Sequence, residues 1–510
     1  MKSLVGRFRI RVPRWGRALG MSLVLAAGAG LGHAATEKPP EPALDLKETS
    51  VLPKDWGTTY SGTIRSKLLG SERTVDIYVP STFAKTKRRY PVIYLTDGEY
   101  NFQRAVIAAR ELAGAGHIPE SIVAAIETPE RRQDLTPPGL SPMQSDGPDQ
   151  RGEKLVRFLV EELRPQLEIR FRAGAPSVLM GHSHGGILCA YAAAKWRKQI
   201  PFIVALDAPV HIDDGWLAKT LASSASQGGY LRLVSLEVKF GWPDDAWTRL
   251  VAAAPKEWKL SRLKLSGEDH VSMVFDGFYR GLKEIFSDYS QVQVKGLSGP
   301  AAFDHYLALE PLYGGPVAPP RFVLELAEMD LCALGKSDLA RKALKVWAED
   351  YGEPEDFHDR LAEIDEAEAA LKGKPTVEQM LDLAPPTASQ IAPYLGVWKG
   401  RYWVDLDETR KSSFTVTFSV ENGLGVAKIV NEDAPPEYRN ETCRYLRVTA
   451  EGIEFGNMNG MFPPGIVARV GRLEGDRLSG ESVFKGVYFR WPEDAGPRPH
   501  HMFVLERGKM

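Results

Sequence analysis

Residues 178–196 read VLMGHSHGGILCAYAAAKW. A short apolar run meets Gly-His-Ser-His-Gly and then continues with apolar residues at helical spacing. Two arrangements fit these letters. In one, Ser183 sits on a sharp strand-to-helix turn, where flanking glycines let the backbone fold closely and hold the hydroxyl out as a nucleophile. In the other, Ser183 is a packed hydroxyl at a glycine-rich turn. The buried-strand run before it and the helical run after it favour the first.

Outward from this turn the pattern repeats. YPVIYLTDG (90–98), SIVAAIET (121–128), PSVLMGHS (176–183), PFIVALDAP (201–209) and LRLVSLEV (231–238) are near-continuous apolar runs, as strands buried on both faces require. RTVDIYVP (73–80) and EWKLSRLKLSG (257–267) alternate. Helical patterns lie between them: Leu155, Phe158, Leu159 and Leu163 share one face, and Leu282 and Ile285 fall near Phe278. Strands alternating with helices predict a mostly parallel sheet covered on both sides.

A serine hydroxyl attacks only when a base accepts its proton. Downstream in this region stand His184, His211 and His270. His184 adjoins Ser183 and would point away from it. His211 follows a strand end. His270, in LKLSGEDHVSM, comes after the last strand and before the last helix, where the base is expected. The carboxylate that would orient the base has four candidates: Glu237, which ends a strand run, Asp207, which ends the one before, and Asp244 and Asp245 in the following loop. Glu237 is favoured by position; Glu268 and Asp269 read as a solvated loop. Two amides are needed for a developing oxyanion. One is that of His184; the other comes from Gly98 or Glu99, after the YPVIYLTDG strand.

At these residues the chain resembles the esterase family of α/β-hydrolases (the esterase D, siderophore-esterase and antigen 85 type). The resemblance covers roughly residues 59–289 and rests on YPVIYLTDG, IPESIVAAIETPERRQDLTPPG, VLMGHSHGG and GEDHVSM. It implies an α/β-hydrolase fold, ester hydrolysis or acyl transfer through a Ser-His-acid triad, and no cofactor or metal. It matches Ser183 to the nucleophile, His270 to the base, Glu237 to the acid, and His184 and Glu99 to the amide donors. It places Tyr100, Arg131, Arg132 and Asp134 along the substrate cleft. Two positions depart from the family pattern: VSLE stands where G-x-x-E is common around the acid, and His184 stands where an apolar residue or Gln is common. The polar stretch 133–153 reads as a long loop that either caps the cleft or is an uninvolved surface excursion.

The remaining chain sets the context. At 510 residues, 43% hydrophobic and 25% charged, it is long enough for two or three globular domains. Net charge is −2, so no electrostatic footprint for nucleic acid exists. Lys2, Arg7, Arg9, Arg11, Arg14 and Arg17 precede a small, apolar run of about 15 residues that ends at Ala34 and Ala35, short of the ~20 that span a bilayer. This is the layout of a cleaved secretory signal over residues 1–35. A periplasmic or secreted chain, soluble after cleavage and without stable membrane insertion, is the expectation. Cys189, Cys332 and Cys443 are too few and too scattered for a disulfide framework or a zinc site. His182 with His184, and His500 with His501, lack a third ligand at metal spacing.

Residues 36–58 read as a lead-in strap. Residues 320–372 turn helical, with Leu339, Ala343, Leu344 and Trp347 on one face, as a short connector with a weak tetratricopeptide-like signal. From residue 390 the period becomes two, with turns at Asn422–Gly423, Glu451–Gly452 and Glu474–Gly475. An all-β domain, a calycin-like barrel or a sandwich, is expected over 390–510. Its aromatic residues read as core rather than as a sugar platform. The functional expectation is an exported serine esterase acting on a small-molecule ester, such as a siderophore, carbohydrate or simple acyl ester. The competing readings are a catalytically retired hydrolase fold whose β domain binds a ligand, and a serine peptidase.

Overall fold

The structure is a computed structural model and describes residues 43–49, 56–141, 149–238, 244–294, 297–404, 407–434, 439–458, 465–488 and 500–508. The expected signal segment, residues 1–35, lies outside the described residues, as do residues 142–148 of the expected capping loop. Among the described residues no helix is long and apolar enough to cross a membrane.

Among the described residues nine strands form the first sheet: β1 (Leu44–Glu48), β2 (Thr58–Arg65), β3 (Glu72–Val79), β4 (Tyr90–Leu95), β5 (Ile122–Ile126), β6 (Ala173–His182), β7 (Phe202–Leu206), β8 (Arg232–Glu237) and β9 (Lys259–Lys264). Their order is β1-β2-β3-β5-β4-β6-β7-β8-β9. From β5 to β9 every pairing is parallel, while β1, β2 and β3 are antiparallel to their neighbours. The sheet is therefore mixed. The parallel strands β4, β5, β7 and β8 are the apolar runs of the sequence, buried on both faces, whereas β9 at the edge alternates and is only partly buried. Strand β1 falls inside the stretch read as a strap. It is an edge strand with only Leu44 buried, so its sequence carries almost no apolar pattern.

Helices α1 (Gly98–Gly114), α2 (Arg131–Leu135), α3 (Gly152–Arg157), α4 (Arg164–Phe171), α5 (His184–Trp196), α6 (Ile212–Ser224), α7 (Asp244–Ala253) and α8 (Met273–Ile285) accompany this sheet. A π-helical segment, Phe158–Leu163, joins α3 to α4. Helices α1 and α8 pack side by side. Val106, Leu112, Phe278 and Leu282 from these helices share a core with Ile93, Met180 and Val204 of the sheet. The opposite core joins Leu155, Leu159, Ile187 and Leu217 to Leu179, Ile203 and Leu233. A Cβ on Gly281 of α8 would lie 2.4 Å from Val204 Cγ1, so the glycine lets the helix lie directly on β7.

Helices α9 (Gly299–Leu307), α10 (Glu310–Tyr313), α11 (Arg321–Ala333), α12 (Ser337–Tyr351), α13 (Phe357–Leu371), α14 (Val377–Asp382) and α15 (Ala388–Ile391) follow. Trp347, Leu344, Leu331 and Ile364 form the core of α11, α12 and α13. The C-terminal domain is a half-barrel whose strands, among the described residues, are β10 (Gly396–Val404), β11 (Asp407–Glu421), β12 (Leu424–Asn431), β13 (Asn440–Thr442), β14 (Tyr445–Thr449), β15 (Gly452–Met458), β16 (Ile466–Glu474), β17 (Arg477–Lys485) and β18 (His501–Arg507), paired antiparallel. The order is β13-β12-β11-β10-β18-β17-β16-β15-β14. Trp398, Phe414, Phe418, Phe455 and Phe503 fill its core.

Candidate active site

Ser183 occupies the residue between β6 and α5, with φ 57° and ψ −118°. A non-glycine residue pays a strain cost there, and such strain persists only where the surroundings impose it. The surroundings are visible. Ser183 N–H donates to Leu206 O at 2.8 Å, continuing the pairing of β6 with β7, and Ser183 O accepts the N–H of Ile187 at 3.2 Å, opening the helix. The flanking glycines are forced by contact. A Cβ on Gly185 would lie 2.4 Å from Thr96 Oγ1, and one on Gly181 would lie 2.6 Å from the Gly185 carbonyl.

The next strand supplies the second group. His182 pairs with Leu206 across β6 and β7, so Ser183 and Asp207 leave the sheet side by side at its carboxyl edge. Asp207 also has positive φ, 41°, and is buried. Its Oδ2 lies 2.5 Å from His270 Nδ1. His270 stands on the loop between β9 and α8. Asp269 braces that loop, its Oδ1 accepting the N–H groups of Val271 and Ser272 at 2.8 and 2.7 Å. The ring of His270 lies 4.5 Å, centroid to centroid, from that of His182, which brings the imidazole to the serine turn.

The structure thus brings Asp207, not Glu237, to His270, and the expectation for the acid is corrected. Glu237 ends β8, one strand farther from Ser183, and its Oε1 is held by Arg262 Nε at 3.0 Å with Lys264 Nζ at 3.8 Å, both on β9. An imidazole reaching from beyond β9 to the end of β6 crosses the end of β7, where Asp207 stands. Asp245 is exposed and paired with Arg249 at 2.9 Å. The side chain of Asp244 lies outside the described residues. His211 is exposed just before α6.

The expected amide donors sit at two helix starts. The ladder of α5 begins with Ile187, so the amide of His184 is outside it; that of α1 begins with Tyr100 and Asn101, both donating to Asp97 O at 3.2 Å, which leaves Gly98 and Glu99 outside. Strands β4 and β6 are neighbours with Leu95 opposite Met180, so the positive ends of α1 and α5 emerge together beside the serine. The His184 side chain is turned away and buried. Its Nε2 lies 2.6 Å from Thr136 Oγ1, whose hydroxyl donates to Arg132 O at 2.5 Å, so Nε2 carries the hydrogen.

The residues expected along the cleft separate. Tyr100 is exposed, at 71%, on the first turn of α1. Arg131 is fixed beneath the turn: Nε and Nη2 donate to the two carboxylate oxygens of Asp97 at 2.7 and 3.0 Å, and Nη2 also reaches His182 O at 3.2 Å. Asp97, which caps α1 and accepts Thr128 Oγ1–H at 2.9 Å, is the residue that sequence reasoning missed; a left-handed aspartate straight after a buried strand is its signal. Asp134 is not at the cleft and is corrected. It is fully buried, with its two oxygens each 2.9 Å from Arg73 and one 3.1 Å from Arg151 Nε. Arg131 and Asp134 lie one helical turn apart, and α2 turns the second one inward.

His182 is a further half-buried group at this site. Its Nε2 meets no hydrogen-bond partner among the described residues. Burial, helped by the neighbouring His270, pushes its pKa down to about 4. The folded state therefore favours neutral His182, while the unfolded chain takes up a proton near pH 6.5. The stabilising difference is present above pH 6.5 and is lost as pH falls from there through about 4. Wild type should lose about 2 kcal/mol more than His182→Gln between pH 7 and pH 5. Urea melts at both pH values check this, and an equal loss in both chains would refute it.

Residues 66–253 match the family model described as "Putative esterase". No curated protein matches the chain. Similar solved structures include an IroE-like serine hydrolase from Shewanella oneidensis, 22% identical, over 59% of this chain and 98% of that one, with a TM-score of 0.47. A siderophore hydrolase, EstA, from Aspergillus nidulans is 17% identical over 47% and 97% of the two chains, with a TM-score of 0.38. An S-formylglutathione hydrolase from Agrobacterium tumefaciens is 15% identical over 47% and 99%, with a TM-score of 0.36. The region that builds the serine turn is thus the region that is similar to the esterase family.

Proposed function

We propose that the chain is an exported serine carboxylic-ester hydrolase with Ser183 as nucleophile, His270 as base and Asp207 as the orienting acid. One observation carries the reading: a strained serine on the β6–α5 turn stands beside an aspartate on the next strand that holds a histidine by Nδ1. With Nδ1–H directed at Asp207, the free Nε2 of His270 takes the Ser183 proton. Ser183 Oγ bonds to the ester carbonyl carbon, and the amides of His184 and Glu99 hold the oxyanion. The alcohol leaves with the proton from Nε2. Water then attacks the acyl-serine by the same path and frees the acid.

The rim supports esters with an apolar group. Tyr100 on α1 and Val271 and Phe275 at the start of α8 are 71%, 70% and 43% exposed, and the two helices lie side by side. Siderophore and carbohydrate esters are the natural substrates to screen first. Export to the periplasm or beyond belongs to the same proposal, supported by the basic and then apolar order of residues 1–35. In this reading the helices of 320–372 serve as a connector and the C-terminal half-barrel is calycin-like.

A fluorophosphonate probe tests the nucleophile. Ser183 Oγ displaces fluoride at phosphorus, so intact mass should show one adduct per chain, and Ser183→Ala should take none. Labelling that persists in the variant would refute the assignment.

A further inference from the structure

The end of β6 carries a second imidazole beside the base. Side chains alternate along a strand, so His182 shares a face of the sheet with Met180 and not with Gly181. Met180 packs in one core with Met273, Val274 and Phe278 of α8. His182 therefore emerges on the α8 side, one pleat beyond that core, and His270 stands on the loop that leads into α8. A Cβ on Gly277 would lie 3.0 Å from Leu206 Cδ1, so α8 rests directly on the end of β7 and its leading loop reaches the ends of β6 and β7. The two imidazoles meet there, with ring centroids 4.5 Å apart and planes tilted by 42°.

The backbone of His182 is held on both sides. It pairs with Leu206 of β7, and its carbonyl accepts an N–H of Arg131 Nη2 at 3.2 Å. His270 is less constrained. It stands on a loop, and its side chain is 44% exposed. Asp207 Oδ2 lies 2.5 Å from Nδ1 and fixes that edge of the ring. A contact at one atom leaves the ring free to swing about it, and a swing carries Nε2 off the line to Ser183. A flat group packed against the ring blocks that swing. Burial pushes the His182 pKa down to about 4, so at neutral pH the supporting ring sets no positive charge against the imidazolium that forms on His270.

We infer that His182 is a positioning residue: its ring, carried on the rigid end of β6, packs against His270 and keeps the base aimed at Ser183. This rests on the hydrolase reading and adds a residue to it. A misplacement of about 1 Å costs on the order of a hundredfold in rate. Loss of the support should therefore be felt in the chemical step and not in substrate affinity.

Hydrolysis of a p-nitrophenyl ester by the full chain tests this, beside the rate of fluorophosphonate labelling read by intact mass. His182→Ala and His182→Asn both remove the ring. Each should lower kcat by about tenfold to a hundredfold, leave KM within about threefold and slow labelling in parallel. His182→Phe returns a flat ring to that place and should recover most of the loss. In a His270→Ala background, adding His182→Ala should cost no more than about twofold further, because the base through which it acts is gone. Activity within about threefold of wild type in both small variants would overturn the inference. So would His182→Phe as slow as His182→Ala, or the same fractional loss with and without His270. A rise in KM matching the fall in kcat would overturn it as well, by placing His182 against the substrate. Labelling that persists in Ser183→Ala would instead overturn the nucleophile on which the inference rests, and that failure is separate because in every other outcome Ser183→Ala stays unlabelled.

Discussion

Asp207→Asn should lower kcat for hydrolysis of a p-nitrophenyl ester by about a thousandfold or more, while Glu237→Gln stays within about threefold of wild type. Asp207 Oδ2 lies 2.5 Å from His270 Nδ1; in the proposed mechanism it accepts the Nδ1–H and so leaves Nε2 free for the Ser183 proton. The carboxylate also stabilises the imidazolium formed when that proton arrives. An asparagine amide turns its NH2 toward Nδ1, inverts the tautomer and removes the charge. The loss should fall on kcat more than on KM, because the interaction strengthens only as charge develops. Glu237 is tied to Arg262 and Lys264 on β9, so its loss alters that edge of the sheet and not the imidazole. A larger loss in Glu237→Gln than in Asp207→Asn would refute the assignment of the acid.

Asp134→Ala should lower unfolding free energy by about 3–5 kcal/mol. Asp134 is fully buried, and it holds Arg73, itself 2% exposed, through two hydrogen bonds of 2.9 Å. Removing the carboxylate leaves that guanidinium buried without its partner between β3 and α2. Arg151 loses a contact as well. The cost comes mainly from the stranded cation, so Arg73→Met combined with Asp134→Leu should recover much of the loss. Urea unfolding of the single and double variants checks both statements. A loss below about 1 kcal/mol in Asp134→Ala would show that the pair contributes little.

The sequence by itself determined the parallel part of the sheet and the turn that carries Ser183. Those features are local: a strand buried on both faces must be apolar throughout, and the close approach of Gly181 and Gly185 requires glycine at both positions. His270 was legible for a similar reason, since it follows the last strand and precedes an amphipathic helix. The partner of His270 was not legible. Asp207 and Glu237 both follow or end buried apolar runs, and nothing in their neighbourhoods separates them. Sheet order does, because β7 lies beside β6 and β8 lies one strand farther.

The same division holds elsewhere. Arg131 and Asp134 share a helix only one turn long, yet one braces Asp97 and the other is sealed against Arg73. The strands of the half-barrel were readable from their alternation and turns, but alternation does not say which face closes inward. Packing of Ala468 against α14 turned Arg469 toward the ring of Phe414. Local sequence sets which groups leave a strand or start a helix. Which charges meet is decided by contacts between segments far apart in the chain, and those depend on strand order and register.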